Sequence, residues 1–203
     1  MIRRSPILAI LISLSGCYSP WVVVRSGQGS ATLEGATLML ELVDRFKAAR
    51  AVEKLYKAKK KSRMLKRAPY VTLVAGTLTI PKAWRGIYTL DPVNWRCSIG
   101  EREVPLLSPE MLKKRFLPRY FATEKYIGLL RVKLPGGNRG AHFFKGVSCL
   151  PGETVLFHFF IPRPAFTDRR VLFLVRLVPS GAGIGTPVVF SVVLDLKVLK
   201  IRP

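Results

Sequence analysis

The chain predicts a mainly β protein: an antiparallel β-sandwich or barrel preceded by a long basic α-helix. Three observations carry that expectation. After Lys125 short apolar runs are divided by Pro/Gly turn chemistry. Between Ala36 and Ala68 apolar residues recur at helical spacing with no Gly or Pro. Apolar residues make up 49% of the 203 and charged residues 23%, enough apolar material for a core and against wholesale disorder.

Met1 to Val24 opens with Arg3 and Arg4, runs apolar from Ile7 to Leu14, and then reads Leu14-Ser15-Gly16-Cys17. A basic start, a short apolar run and a small-residue site are the parts of a secretory signal. The tetrapeptide also resembles a bacterial lipobox, in which Cys17 would be lipidated. The run is short for a membrane span, which needs about 20 residues. Arg25 to Ser30 (Arg-Ser-Gly-Gln-Gly-Ser) reads as a flexible linker, because no third glycine completes a dinucleotide fingerprint.

In the helix expected over Ala36 to Ala68, Leu38, Leu42, Phe46, Ala49, Val52 and Tyr56 form one apolar stripe, and Pro69 ends it. Its second part carries Arg45, Lys47, Arg50, Lys54, Lys57, Lys59, Lys60, Lys61, Arg63, Lys66 and Arg67 against the single acid Glu53. Eleven bases less one acid leave +10 in 23 residues. Like charges at i,i+4 destabilise a helix, and a polyanion would relieve that repulsion. These eleven residues are the expected RNA-binding set.

Tyr70 to Ile80 alternates loosely and reads as a strand ended by Pro81, with a loop following through Trp84 and Trp95-Arg96-Cys97. Ser108-Pro109-Glu110 reads as a helix start, with a capping serine and proline at the first helical position. The later strands expected are Tyr126 to Leu134, Ala141 to Cys149, Thr154 to Ile161, Val171 to Val178 and Val188 to Ile201. Phe157, Phe159 and Phe160 belong to them as core aromatics. Residues 1–35 are thus an apolar N-terminal segment and linker, 36–69 the basic amphipathic helix, and 70–203 the β-sandwich domain.

The 34 Lys+Arg against 12 Asp+Glu give a net charge of +22, which points to nucleic acid or an anionic membrane surface. Two histidines and three cysteines lack zinc-ligand spacing, so a zinc module is not expected. A disulfide-dense secreted scaffold is excluded on the same count. His142 and His158 accompany no nucleophile motif, and Glu101 and Glu103 flank Arg102 as ordinary surface carboxylates. Asp168 and Asp195 stand isolated in the sequence. No enzyme and no cofactor are expected. Beyond the helix, Arg96, Arg102, Lys113, Lys114, Arg115, Arg119, Arg139, Arg163, Arg169 and Arg170 suit the sequence-tolerant phosphate contacts of single-strand binding.

The stretch from Asn94 to Lys114, with its Trp95-Arg96-Cys97 element, the Val104-Pro105-Leu106-Leu107 block and the short helix after it, resembles the core of a known family. That family is the tombusvirus and dianthovirus type of cell-to-cell movement protein, within the thirty-kilodalton superfamily of plant viruses. Tyr126 to Leu134 resembles the family's first long core strand, and Pro151-Gly152-Glu153 and Val188 to Leu199 fit later strands in order. The likeness runs from about Trp84 to Ile201. Many members place an aspartate where this chain has Lys145-Gly146-Val147-Ser148-Cys149. The resemblance implies a jelly-roll-like sandwich, cooperative binding of single-stranded RNA and transport of a viral genome through plasmodesmata. Contact of the N-terminal apolar segment with host membrane, and self-association, are further expectations. The competing expectations are a bacterial outer-membrane lipoprotein anchored through Cys17 and a basic virion structural protein.

Overall fold

The computed structural model describes residues 22–43, 71–108, 110–111, 129–134, 137–142, 146–180 and 186–201. They form two antiparallel sheets around one core. The larger sheet runs β13-β1-β2-β3-β10-β7-β8, built from β1 (Val22–Leu33), β2 (Ala36–Val43), β3 (Val71–Thr79), β7 (Leu129–Leu134), β8 (Gly137–His142), β10 (Thr154–Pro162) and β13 (Lys197–Ile201). In the smaller sheet β11 (Arg170–Pro179) is central, with β12 (Val188–Asp195) along one edge. Its other edge pairs β5 (Arg96–Ile99) near its start and β4 (Tyr88–Leu90) near its end. β6 (Arg102–Val104) extends β5, and β9 (Val147–Cys149) extends β4.

Strict alternation sets the inner faces. In β12 Val188, Phe190, Val192 and Leu194 are buried while Val189, Ser191, Val193 and Asp195 face solvent. β10 sends Val155, Phe157, Phe159 and Ile161 inward. Trp95 stands edge-on to Phe157 and Phe159 with ring centroids 5.6 and 5.7 Å away, and Phe159 meets Phe173 of the opposite sheet edge-on at 5.6 Å. Phe160 is also buried, on the other side of β10, where Leu107 adds one antiparallel bridge to it. All three phenylalanines are thus buried, as expected, but alternation accounts for Phe157 and Phe159 on the inner face, whereas Phe160 is covered on the opposite one.

Several expectations change. Ala36 to Val43 is a strand, not the first turns of a helix. Leu38 and Leu42 are four residues apart, and four is an even number, so that spacing also places them on one face of a strand, with Leu40 between them. Residues 44–69 of the expected helix lie outside the described residues, as do the Leu14-to-Cys17 site and most of the segment after Ser108. At that helix start, Met111 N–H donates to Ser108 Oγ at 3.2 Å, the cap expected of the serine.

The expected linker Arg25 to Ser30 lies within β1. Its glycines serve close approach. A Cβ at Gly29 would stand 2.1 Å from the Val193 carbonyl oxygen of β12, and one at Gly27 3.0 Å from that of Asp195. Here the two sheets meet. β12 ends at Asp195, Leu196 turns the corner, and β13 joins the larger sheet by pairing with the first half of β1. The single strand expected from Val188 to Ile201 is therefore two strands in different sheets. Ala141 to Cys149 divides likewise, between β8 and β9. The loop expected after Pro81 contains β4, a 3₁₀ turn over Pro92–Asn94 capped by the Asp91 carboxylate, and β5.

Candidate nucleic-acid interface

Four arginines, Arg102, Arg163, Arg169 and Arg170, come to one end of the molecule. β3 begins at Val71, opposite Pro162 at the end of β10, and β2 ends at Val43, opposite Leu73. The chain then crosses between sheets through residues 163–169 and starts β11 at Arg170, level with Asp195 of β12. The β5–β6 turn at Gly100 and Glu101 borders the same end, because Gly100 N–H donates to the Arg170 carbonyl at 3.1 Å.

The connecting loop is held from several directions. Pro164 is buried. The Asp168 carboxylate accepts from Ala165 N–H at 2.6 Å, and Asp168 N–H donates back to the Ala165 carbonyl at 3.1 Å. Leu196 N–H donates to the Arg169 carbonyl at 2.8 Å. Arg102 reaches Asp168 at 3.7 Å, and the side chains are 72% and 13% exposed respectively, so the carboxylate is turned inward and the guanidinium outward. Arg170 pairs with Asp195 at 3.0 Å in full solvent, a contact of small energy.

From this pinned loop Phe166 projects 61% exposed, with the Arg163 guanidinium carbon 5.6 Å from its ring centroid. Arg169 and Arg170 are exposed beside it. The acids on this rim are Asp168, Asp195, Glu101 and Glu103; the first two have the arginine partners described above.

The residues expected to bind RNA fall in two groups. Arg45, Lys47, Arg50, Lys54, Lys57, Lys59, Lys60, Lys61, Arg63, Lys66 and Arg67 lie outside the described residues, as do Lys113, Lys114, Arg115 and Arg119. Arg102, Arg163, Arg169 and Arg170 are brought to one end. Arg96 is exposed on β5, and Arg139 stands in β8. Sequence reading missed Phe166. Its signal was a lone aromatic in a Pro-containing, Arg-flanked loop, overshadowed by the phenylalanines of β10.

A second feature is a shallow depression of about 300 Å³ on the solvent face of the larger sheet, lined among others by Gln28, Ser30, Met39, Glu41, Ala75 and Thr77. Among the described residues no group of three or more His, Cys, Asp or Glu stands together, and no helix is long and apolar enough to cross a membrane. Cys97 and Cys149 are buried and not joined in a disulfide, and burial pushes the Cys97 thiol up to about 12.

No family model matches the chain, and no curated protein matches it. Among solved structures it is similar to the KRT10-binding region domain of the pneumococcal serine-rich repeat protein PsrP. Identity is 10%, over 84% of this chain and 99% of that one, with a TM-score of 0.28. A likeness at that score carries no argument about function.

Proposed function

We propose that the chain is a non-enzymatic carrier of single-stranded RNA, of the viral movement-protein kind, that takes a genome from cell to cell through plasmodesmata. One observation carries the reading. The chain leaves the sheet at Val43 and re-enters it at Val71, and between those points the sequence holds eleven bases and a net +10 from Arg45 to Arg67. Both strand ends border the end of the molecule that presents Arg102, Arg163, Arg169 and Arg170. Basic residues so grouped suit phosphate contact without base readout.

Two antiparallel sheets, with β10 to β11 and β12 to β13 crossing between them, support a jelly-roll-like sandwich as the finer description. The resemblance of Asn94 to Lys114 supports the movement role. In this reading the apolar N-terminal segment contacts host membrane, and copies of the chain associate on the RNA. The Leu14-Ser15-Gly16-Cys17 site favours the other reading, an outer-membrane lipoprotein.

The test is filter binding to single strands of unrelated sequence at several salt concentrations. Similar affinities are expected for all strands, and neutralising about six phosphates predicts a log-log salt slope of about −4. A flat salt dependence would remove the carrier reading. An acylated Cys17 in the mass spectrum of bacterially expressed protein would put the lipoprotein in its place. A neighbouring reading frame for a polymerase or coat protein separates a viral role from a secretion operon.

A further inference from the structure

We propose that Phe166, with the Arg163 guanidinium 5.6 Å from its ring centroid, is a base-stacking step for a single-stranded nucleic acid, and that Arg169 contacts the adjoining backbone. This rests on the RNA-carrier reading but assigns a residue that charge alone does not reach. An isolated exposed phenylalanine on a loose loop would mean little. This one is held out by a loop whose buried Pro164, inward Asp168 and backbone bonds from Gly100 and Leu196 fix its base. Rigid presentation of an aromatic lowers the ordering cost of any ligand that stacks on it.

The chemistry selects the ligand. A guanidinium 5.6 Å from a phenyl centroid sets a positive charge beside an exposed aromatic ring, the pairing that suits a nucleobase and its phosphate. Arg169, three residues later and exposed, offers positive charge to the backbone that adjoins a stacked base. A membrane fits less well: Phe166 stands between Ala165 and Thr167, with no second large apolar side chain in the loop to insert beside it.

The test uses the full chain and two strands of equal length, one a uridine oligonucleotide and one abasic. Phe166→Ala should weaken the uridine strand about tenfold while leaving its salt slope unchanged, because stacking releases no counterions. It should leave the abasic strand alone. Phe166→Trp should restore binding. Arg169→Gln should weaken both strands and flatten the slope by about 0.7. Thermal melting of each variant checks that the fold is kept. Equal affinity of Phe166→Ala and wild type for the uridine strand overturns the proposal while the carrier reading stands, and so does an equal loss on both strands. A Phe166→Ala variant that loses only its binding to phosphatidylserine vesicles assigns the ring to a membrane instead. Failure of the wild type to bind either strand removes the carrier reading and this inference with it.

Discussion

At Gly29 a missing side chain lets the backbones of β1 and β12 touch. A Cβ there would meet a carbonyl oxygen, which has no rotamer by which to move aside. Gly29→Ala should therefore cost about 2–3 kcal/mol, read as a fall in Tm of about 8 °C for a chain of this size. Gly27→Ala, where the same contact is 3.0 Å, should cost clearly less. Gly76 answers a similar demand in β3: it lies opposite Phe157, whose ring occupies the space a Cβ would need. Cys97 makes a different prediction. Its folded thiol titrates near 12 against 9.0 when free, so the folded state holds the proton more tightly. That contribution is complete below about pH 9 and is lost as the pH climbs toward 12, by up to about 1.4 kcal/mol per pH unit. Urea midpoints compared across that alkaline range should fall more steeply for wild type than for Cys97→Val.

Among the elements, the turn between β1 and β2 shows how local backbone chemistry divides an apolar run. Glu34 and Gly35 both take positive φ, 50° and 80°, the conformation of a two-residue hairpin turn whose twist suits antiparallel strands. Gly35 adopts it without strain. Trp84 closes over that turn by donating its indole N–H to the Glu34 carbonyl at 2.8 Å. In the loop of residues 163–169, one carboxylate makes side-chain contacts to Ala165 and Arg102. Asp168→Ala removes the acceptor of the Ala165 N–H and the partner of Arg102. A loss of about 1–2 kcal/mol is expected. Amide exchange should quicken at Ala165 and Asp168 while β10 and β11 keep their protection, because their ladders do not pass through this carboxylate. Unchanged exchange at Ala165 would mean that the buried Pro164 and the flanking strands hold the loop without it.

For the whole molecule, the governing quantity is a net charge of +22 distributed unevenly. Nearly half of it lies between Arg45 and Arg67, in a connection whose ends are pinned at Val43 and Val71. Replacing Lys57, Lys59, Lys60, Lys61 and Arg63 by Gln removes five charges outside every described strand. The salt slope for single-stranded RNA should flatten by about three units, and all sequences should weaken alike. The melting temperature should stay within a few degrees of wild type. Filter-binding titrations at several salt concentrations read the first effect, and an unchanged slope would take this segment out of the RNA contact.

The sequence by itself determined the β character, the inward faces of β10, β11 and β12, the core placement of Phe157 and Phe159, and the charge excess. Each of these follows from period-two alternation, turn residues or counting, which are local properties. Tertiary structure alone decided the rest. Leu38 and Leu42 fit a helix and a strand equally, and pairing with β1 and β3 settled β2 as a strand. The glycines at 27 and 29 look like a linker until β12 lies against them. Val188 to Ile201 is one apolar run in the sequence, yet Leu196 passes it from one sheet to the other because β1 offers a second partner. The exposure of Phe166 belongs to the same class. Its loop is held by contacts from distant parts of the chain, among them the Asp168 carboxylate with Arg102 and the Leu196–Arg169 hydrogen bond, which meet only in the fold.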